Sequence, residues 1–119
     1  MNIPPEPTPQ CKAEDQSAST QTKRAVAVVE ETATLFRALG ETSRLQVMEL
    51  LFNGPHCVSE LAQETGQSMS LISQRLKILH QARLVDKQRR GKHIYYSLSD
   101  DHIVHLLQNA FDHVEEYDH

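Results

Sequence analysis

Residues 57–98 read CVSELAQETGQSMSLISQRLKILHQARLVDKQRRGKHIYYSL, and the order of elements in this stretch decides the fold. Cys57 to Thr65 has helical spacing, with Val58, Leu61 and Ala62 on one inward face, and Gly66 closes it. Ser68 is placed to cap a second helix that runs to about Ala82. In that helix Leu71, Ile72, Leu76 and Leu79 are expected to face the core, leaving Ser70, Ser73, Gln74 and Lys77 outward. Two short helices joined by a glycine turn, the second with small polar residues outside, form a helix-turn-helix pattern. Leu84 to Arg89 and His93 to Leu98 are rich in Val, Ile and Tyr and flank a turn at Arg90-Gly91-Lys92, which predicts a β-hairpin. A hairpin directly after such a helix is a wing, and this one has a cationic tip.

Upstream, the segment 23–39, KRAVAVVEETATLFRAL, has helical spacing and stops at Gly40, read as a C′ glycine. Glu41-Thr42-Ser43 opens the next helix, with Ser43 and Gln46 in capping-box spacing. Leu45, Val47, Met48, Leu50, Leu51 and Phe52 make this helix mostly buried, and Asn53-Gly54-Pro55 ends it. Residues 1–22 hold four of the five prolines and many Ser, Thr and Gln, a composition that builds no core and predicts a disordered arm. The expected architecture is therefore mainly α with a β-hairpin wing, an α+β winged helix-turn-helix domain over residues 23–119.

Charge is divided along the chain. The net charge is −4, yet residues 75–92 hold seven of the twelve basic residues (Arg75, Lys77, Arg83, Lys87, Arg89, Arg90, Lys92) against the single acid Asp86. From Ser99 onward there are six acids and four histidines, and no Lys or Arg. A basic middle and an acidic, histidine-bearing tail point to two functional surfaces. Ser68, Ser70, Ser73, Gln74, Arg75 and Lys77 are candidates for double-stranded DNA, because such side chains bond base edges and phosphates in the major groove. Arg89, Arg90 and Lys92 at the wing are candidates for phosphates or the minor groove. Taken singly, these residues could merely solvate a helix and a hairpin; their order along the chain is what points to DNA.

The tail 100–117, DDHIVHLLQNAFDHVEEY, carries the second surface. Ile103, Leu107, Ala110, Val114 and Tyr117 step by 4, 3, 4 and 3, the spacing of one helix face, with Ser99 or Asp100 as its cap. Beside this stripe lie two pairs of metal-ligand types, Asp100 with His102 and His113 with Glu116. His102 and His113 share nearly one azimuth but stand roughly 16 Å apart along the axis. No ion with bonds of about 2.0–2.2 Å joins ligands so separated on one helix. Two antiparallel copies would bring Asp100 and His102 of one against His113 and Glu116 of the other, which predicts a two-fold homodimer with two intersubunit sites. The simpler alternative is a dimerisation helix with a solvated face.

With these residues in view, about residues 25–116 resemble the ArsR/SmtB family of winged-helix metal-sensing repressors, and in particular its zinc-responsive SmtB-like branch. That branch carries Asp-x-His, ten residues, then His-x-x-Glu or His-x-x-His, and Asp100-x-His102 followed by His113-x-x-Glu116 matches it in full. The resemblance implies a homodimer, joined through its N- and C-terminal helices, that binds operator DNA when metal-free and releases it when Zn(II) binds. Four ligands as two His and two carboxylates suit tetrahedral Zn(II), and Co(II) or Cd(II) could substitute. The resemblance also implies that the non-ligating nitrogen of His113 bonds the backbone carbonyl of Arg83.

Relatives further carry a thiolate site on the first helix of the pair, completed by cysteines of the arm. Here that segment is Cys57-Val58-Ser59-Glu60, so Cys11, Cys57 and Glu60, with Asp15 as a further donor, form a candidate second site. Ser59 replaces the second cysteine of the Cys-x-Cys pair, and Cys57 as a small buried hydrophobe is an equal expectation. His56 beside Cys57 is read as an exposed loop residue, and His119 as a frayed terminal one. Where many relatives read Ser-His-Gln-Leu, this recognition helix reads Ser73-Gln74-Arg75-Leu76, which leaves the operator sequence open.

Two cysteines are too few for a disulfide scaffold. No long apolar run or N-terminal hydrophobic segment is present, so neither a membrane partner nor a signal peptide is expected and a cytoplasmic setting follows. A zinc hydrolase is disfavoured because no His-Glu-x-x-His or open three-ligand site is visible, so the chain is expected not to be an enzyme. The alternative regulator takes its input from thiol oxidation of Cys11 and Cys57.

Overall fold

Gly66 sits at φ 73° as the left-handed C-cap of one helix, and Ser68 Oγ caps the next by accepting from Leu71 N at 3.2 Å. The helix-turn-helix read from the sequence is thus built as expected. A computed structural model describes residues 23–118, except the side chain of Asp118. The arm 1–22, with Cys11 and Asp15, and the terminal His119 lie outside the described residues.

The described residues form α1 (Val26–Leu39), α2 (Thr42–Leu51), β1 (His56–Cys57), α3 (Val58–Thr65), α4 (Met69–Gln81), β2 (Val85–Arg90), β3 (His93–Leu98) and α5 (Asp101–Asp118). The β2-β3 hairpin read from the sequence forms the wing, and a third strand extends it to an antiparallel sheet in the order β1-β3-β2. The added strand is two residues long, pairing His56 with Tyr96 and Cys57 with Tyr95. Arg90 pairs with His93 across Gly91-Lys92, and Gly91 at φ 63° takes the first central position that a II′ turn reserves for glycine.

One apolar core holds these elements together. Met48 of α2, Leu61 of α3, Ile72, Leu76 and Leu79 of α4, and Leu84 after it are fully buried. Leu71 departs from its expected inward place and is 44% exposed. Adjacent helical residues diverge by about 100°, so Leu71 cannot share the narrow buried stripe of Ile72.

Two helix ends also differ from their sequence reading. Glu41, not Ser43, caps α2, its Oε1 accepting from Arg44 N at 3.1 Å. Gly40 has φ −82°, so its backbone is not left-handed; a Cβ there would meet Phe36 O at 3.2 Å, which is why a glycine fits. The last carbonyls of α1 are taken by Arg44, whose guanidinium donates to Ala38 O at 2.7 Å and Arg37 O at 3.3 Å.

The end of α4 is the one strained point in the backbone of the described residues. Arg83 N bonds His80 O at 3.0 Å and Leu84 N bonds Leu79 O at 2.9 Å, the paired bonds of a Schellman cap. Arg83 therefore stands at φ 62°, where a Cβ is disfavoured. Arg83→Gly is expected to raise unfolding stability by about 1 kcal/mol by relieving that strain. Leu84→Ala, which empties the apolar side of the same cap, is expected to lower it by about 2–5 kcal/mol, both read by urea unfolding.

Candidate functional site

The outer face of α4 carries Ser68, Ser70, Ser73, Gln74 and Lys77, all exposed, while its opposite side is locked into the core. Arg75 is placed differently from these. It is half-buried and its Nη1 bonds Gln67 Oε1, so its guanidinium braces the turn before α4. On the wing, Arg89 Nε donates to Gly91 O at 3.2 Å, and Arg90 lies over the Tyr95 ring at 5.4 Å. Lys92 is exposed at the tip. Stacking on Tyr95 holds one cation of the tip in place without neutralising it; the sequence analysis does not single Tyr95 out.

Helix α5 presents the candidate metal ligands. Asp100 is its cap, Oδ1 accepting from Ile103 N at 3.1 Å, and the same oxygen lies 3.6 Å from His102 Nδ1. A carboxylate has a second oxygen, so Asp100 can keep this cap and still ligate. His102, His113 and Glu116 are exposed, and His113 packs edge-on against Tyr117 at 4.8 Å between ring centroids. Within the chain the two pairs stay apart, and among the described residues no three His, Cys, Asp or Glu side chains gather at metal distance.

The apolar stripe explains where a second copy would sit. Ile103 and Leu107 are buried in the domain, but Val114 and Tyr117 are 56% and 79% exposed. On α1, Val26, Val28, Val29 and Phe36 are likewise exposed. Two amphipathic helices thus leave apolar faces uncovered, more than scattered single side chains would.

The candidate second site is partly spoken for. Cys57 is buried, with Sγ 3.2 Å from Ser59 Oγ. Glu60 Oε1 accepts from Cys57 N at 2.9 Å, closing a capping box at the start of α3. His56 is not the exposed loop residue expected: it is half-buried in β1 with Nδ1 2.8 Å from Gly54 O.

Between α4 and α5, His80, Gln81, Arg83, Val85, Asp86, Ser99 and Asp100 line a polar cleft. Ser99 Oγ is buried there without a hydrogen-bond partner, while Ser99 N donates to Leu84 O at 3.1 Å.

Compared with known proteins, residues 41–87 match the description "Bacterial regulatory protein, arsR family". The chain is 39% identical over 89 residues to a transcriptional repressor SmtB homolog of Synechocystis sp., covering 75% of this chain and 67% of that one. It is 31% identical over 87 residues to a cadmium resistance transcriptional regulatory protein CadC homolog of Staphylococcus aureus, covering 72% of each. Among solved structures it is similar to Mb0332 of Mycobacterium bovis, a homodimeric winged helix-turn-helix DNA-binding domain. That match has a TM-score of 0.75 at 28% identity and covers 81% of this chain and 89% of that one. These relatives are regulators, not enzymes, and no helix among the described residues is long and apolar enough to cross a membrane.

Backbone N–H donors at helix starts hold two carboxylates ionised. The Arg44 N–H keeps Glu41, and the Cys57 N–H keeps Glu60, below the ordinary glutamate range. The unfolded chain binds these protons more tightly than the folded one. Stability from both caps is therefore complete above the ordinary glutamate range and lost as pH falls through the lowered folded values. Thermal midpoints are expected to drop across that acid window, and to drop less steeply in Glu41→Gln and Glu60→Gln.

Proposed function

The chain belongs to the arsR family of bacterial regulatory proteins, and on that premise we propose that it is a homodimeric, metal-responsive transcriptional repressor. The metal-free dimer binds double-stranded operator DNA, and Zn(II), with Co(II) or Cd(II) as substitutes, releases it. A regulator of this kind works beside the chromosome, in the cytoplasm.

The observation that carries this reading is on α5. Two ligand pairs of matched type stand exposed at the two ends of a helix whose apolar stripe is uncovered at its C-terminal half. Packing two such helices antiparallel covers the stripe and meets Asp100 and His102 with His113 and Glu116 of the second copy. The donor set of two imidazoles and two carboxylates is neutral with a divalent ion and suits tetrahedral coordination. When bound, the ion ties the two helices together.

Coupling to DNA has a path in the chain's own hydrogen bonds. Asp100 caps α5 next to Ser99; Ser99 N bonds Leu84 O, and Leu84 N bonds Leu79 O in the recognition helix. A shift of the ligand helix is thereby passed to α4 through a buried junction held by backbone hydrogen bonds. His113 bonding to the Arg83 carbonyl, as the resemblance implies, would act on the same junction. Linkage requires that operator DNA weaken metal binding by the factor that metal weakens DNA binding.

Oxidation of Cys11 and Cys57 is the competing input. The burial of Cys57 against α3 shields its sulfur and favours a structural role. Cys57 and Glu60, with Cys11 of the arm, remain the residues for a soft-metal site.

Operator binding by fluorescence anisotropy, titrated with Zn(II) and reversed with chelator, tests the proposal. Zinc is expected to weaken binding about tenfold or more. His113→Ala is expected to abolish this response while keeping metal-free DNA affinity. Equal binding with and without zinc would overturn the assignment, as would loss of metal-free DNA binding in the variant.

A further inference from the structure

The DNA-facing side of α4 is not wholly polar. Met69 and Leu71, the first and third residues of the helix, are 54% and 44% exposed. They stand about 100° to either side of Ser70, and so flank the polar strip of Ser70, Ser73, Gln74 and Lys77. An exposed leucine alone carries no meaning. The position of these two does, because the N-terminal residues of a recognition helix are the ones that meet base edges.

In the major groove the base pairs present donors, acceptors and one apolar group, the C5-methyl of thymine. Side chains that meet only donors and acceptors would leave two large apolar groups against polar partners. We propose that Met69 and Leu71 read thymine methyl groups, so that each operator half-site carries thymines at positions the polar strip does not specify. Met69 has a second support: it shares with Ser73, Lys92 and Ile94 the walls of the cleft between α4 and the wing. Met69 thus stands on the wing side of the polar strip and Leu71 on the opposite edge. The inference rests on the operator-binding reading above and adds to it the chemistry of part of the sequence that is read.

The probe is a duplex selected by the full-length, metal-free protein from a random-sequence pool, then resynthesised with deoxyuridine in place of each thymine in turn. Deoxyuridine pairs as thymine does and lacks only the methyl group. At the contacted positions affinity is expected to fall about four-fold, the worth of about one buried methyl. Leu71→Ser and Met69→Ser are each expected to bind the thymine and uracil duplexes equally at one such position. Both sites are exposed, so the thermal midpoint is expected to be unchanged. Wild-type protein that binds the selected duplex but is indifferent to every thymine-to-uracil exchange would overturn the inference alone. A pool from which no duplex is enriched would overturn the operator reading and the inference with it.

Discussion

Two buried backbone hydrogen bonds join the halves of this molecule. Leu84 N donates to Leu79 O at the end of the recognition helix, and Leu84 O accepts from Ser99 N at the start of the last helix. Leu79 and Leu84 are fully buried, so neither bond has water to compete for it, and breaking either would leave an unpaired polar group in the core. The geometry is maintained at the expense of a left-handed Arg83, in a place where most helices use glycine. The outer polar face of α4 and the start of α5 at Asp100 and His102 thus share one rigid joint.

The second constraint is reach. Zinc bonds of about 2.0–2.2 Å cannot span the roughly 16 Å of helix between His102 and His113, and the chain does not fold back to bring them together. The same helix leaves Val114 and Tyr117 uncovered. In the proposed dimer a single event, antiparallel packing of α5, satisfies both the apolar surface and the incomplete ligand sets. A near-complete switch asks for about 5.5 kcal/mol between the two states. That is of the order of a few buried hydrogen bonds and apolar side chains, and it does not require the domain to refold.

Much of this was legible in the sequence because the signals were local. Gly66 and Ser68 mark the turn, Gly91 marks the hairpin, and the 3.6-residue periods of α3 and α4 mark the buried faces. What escaped was set by tertiary context. A two-residue strand at His56–Cys57 is too short to show any period, and it exists because β3 offers a free edge. Glu41 displaces Ser43 as the cap because α2 begins two residues earlier than a Ser43 cap would place it, at Thr42, and the Glu41 side chain reaches Arg44 N. Leu71 follows the apolar run of the sequence but not the buried stripe, because neighbours on a helix point apart. The bond between Arg75 and Gln67 joins residues eight apart across the turn, and no local period announces it. The four candidate ligands of α5 are proposed from spacing alone, and the meeting proposed for them is not a property of one chain.

Complementation between two defective forms measures that central claim most directly. One form carries Asp100→Ala with His102→Ala, the other His113→Ala with Glu116→Ala. Zinc stoichiometry would be followed by competition with a chromophoric chelator, for each form alone and for an equilibrated mixture. Sites that span two chains leave each form short of the α5 zinc that the wild-type protein binds, while mixed dimers regain one intact site and the mixture binds more than its components. A mixture that binds no more zinc than its components, or either form matching the wild-type stoichiometry alone, would contradict a site shared between two copies of α5.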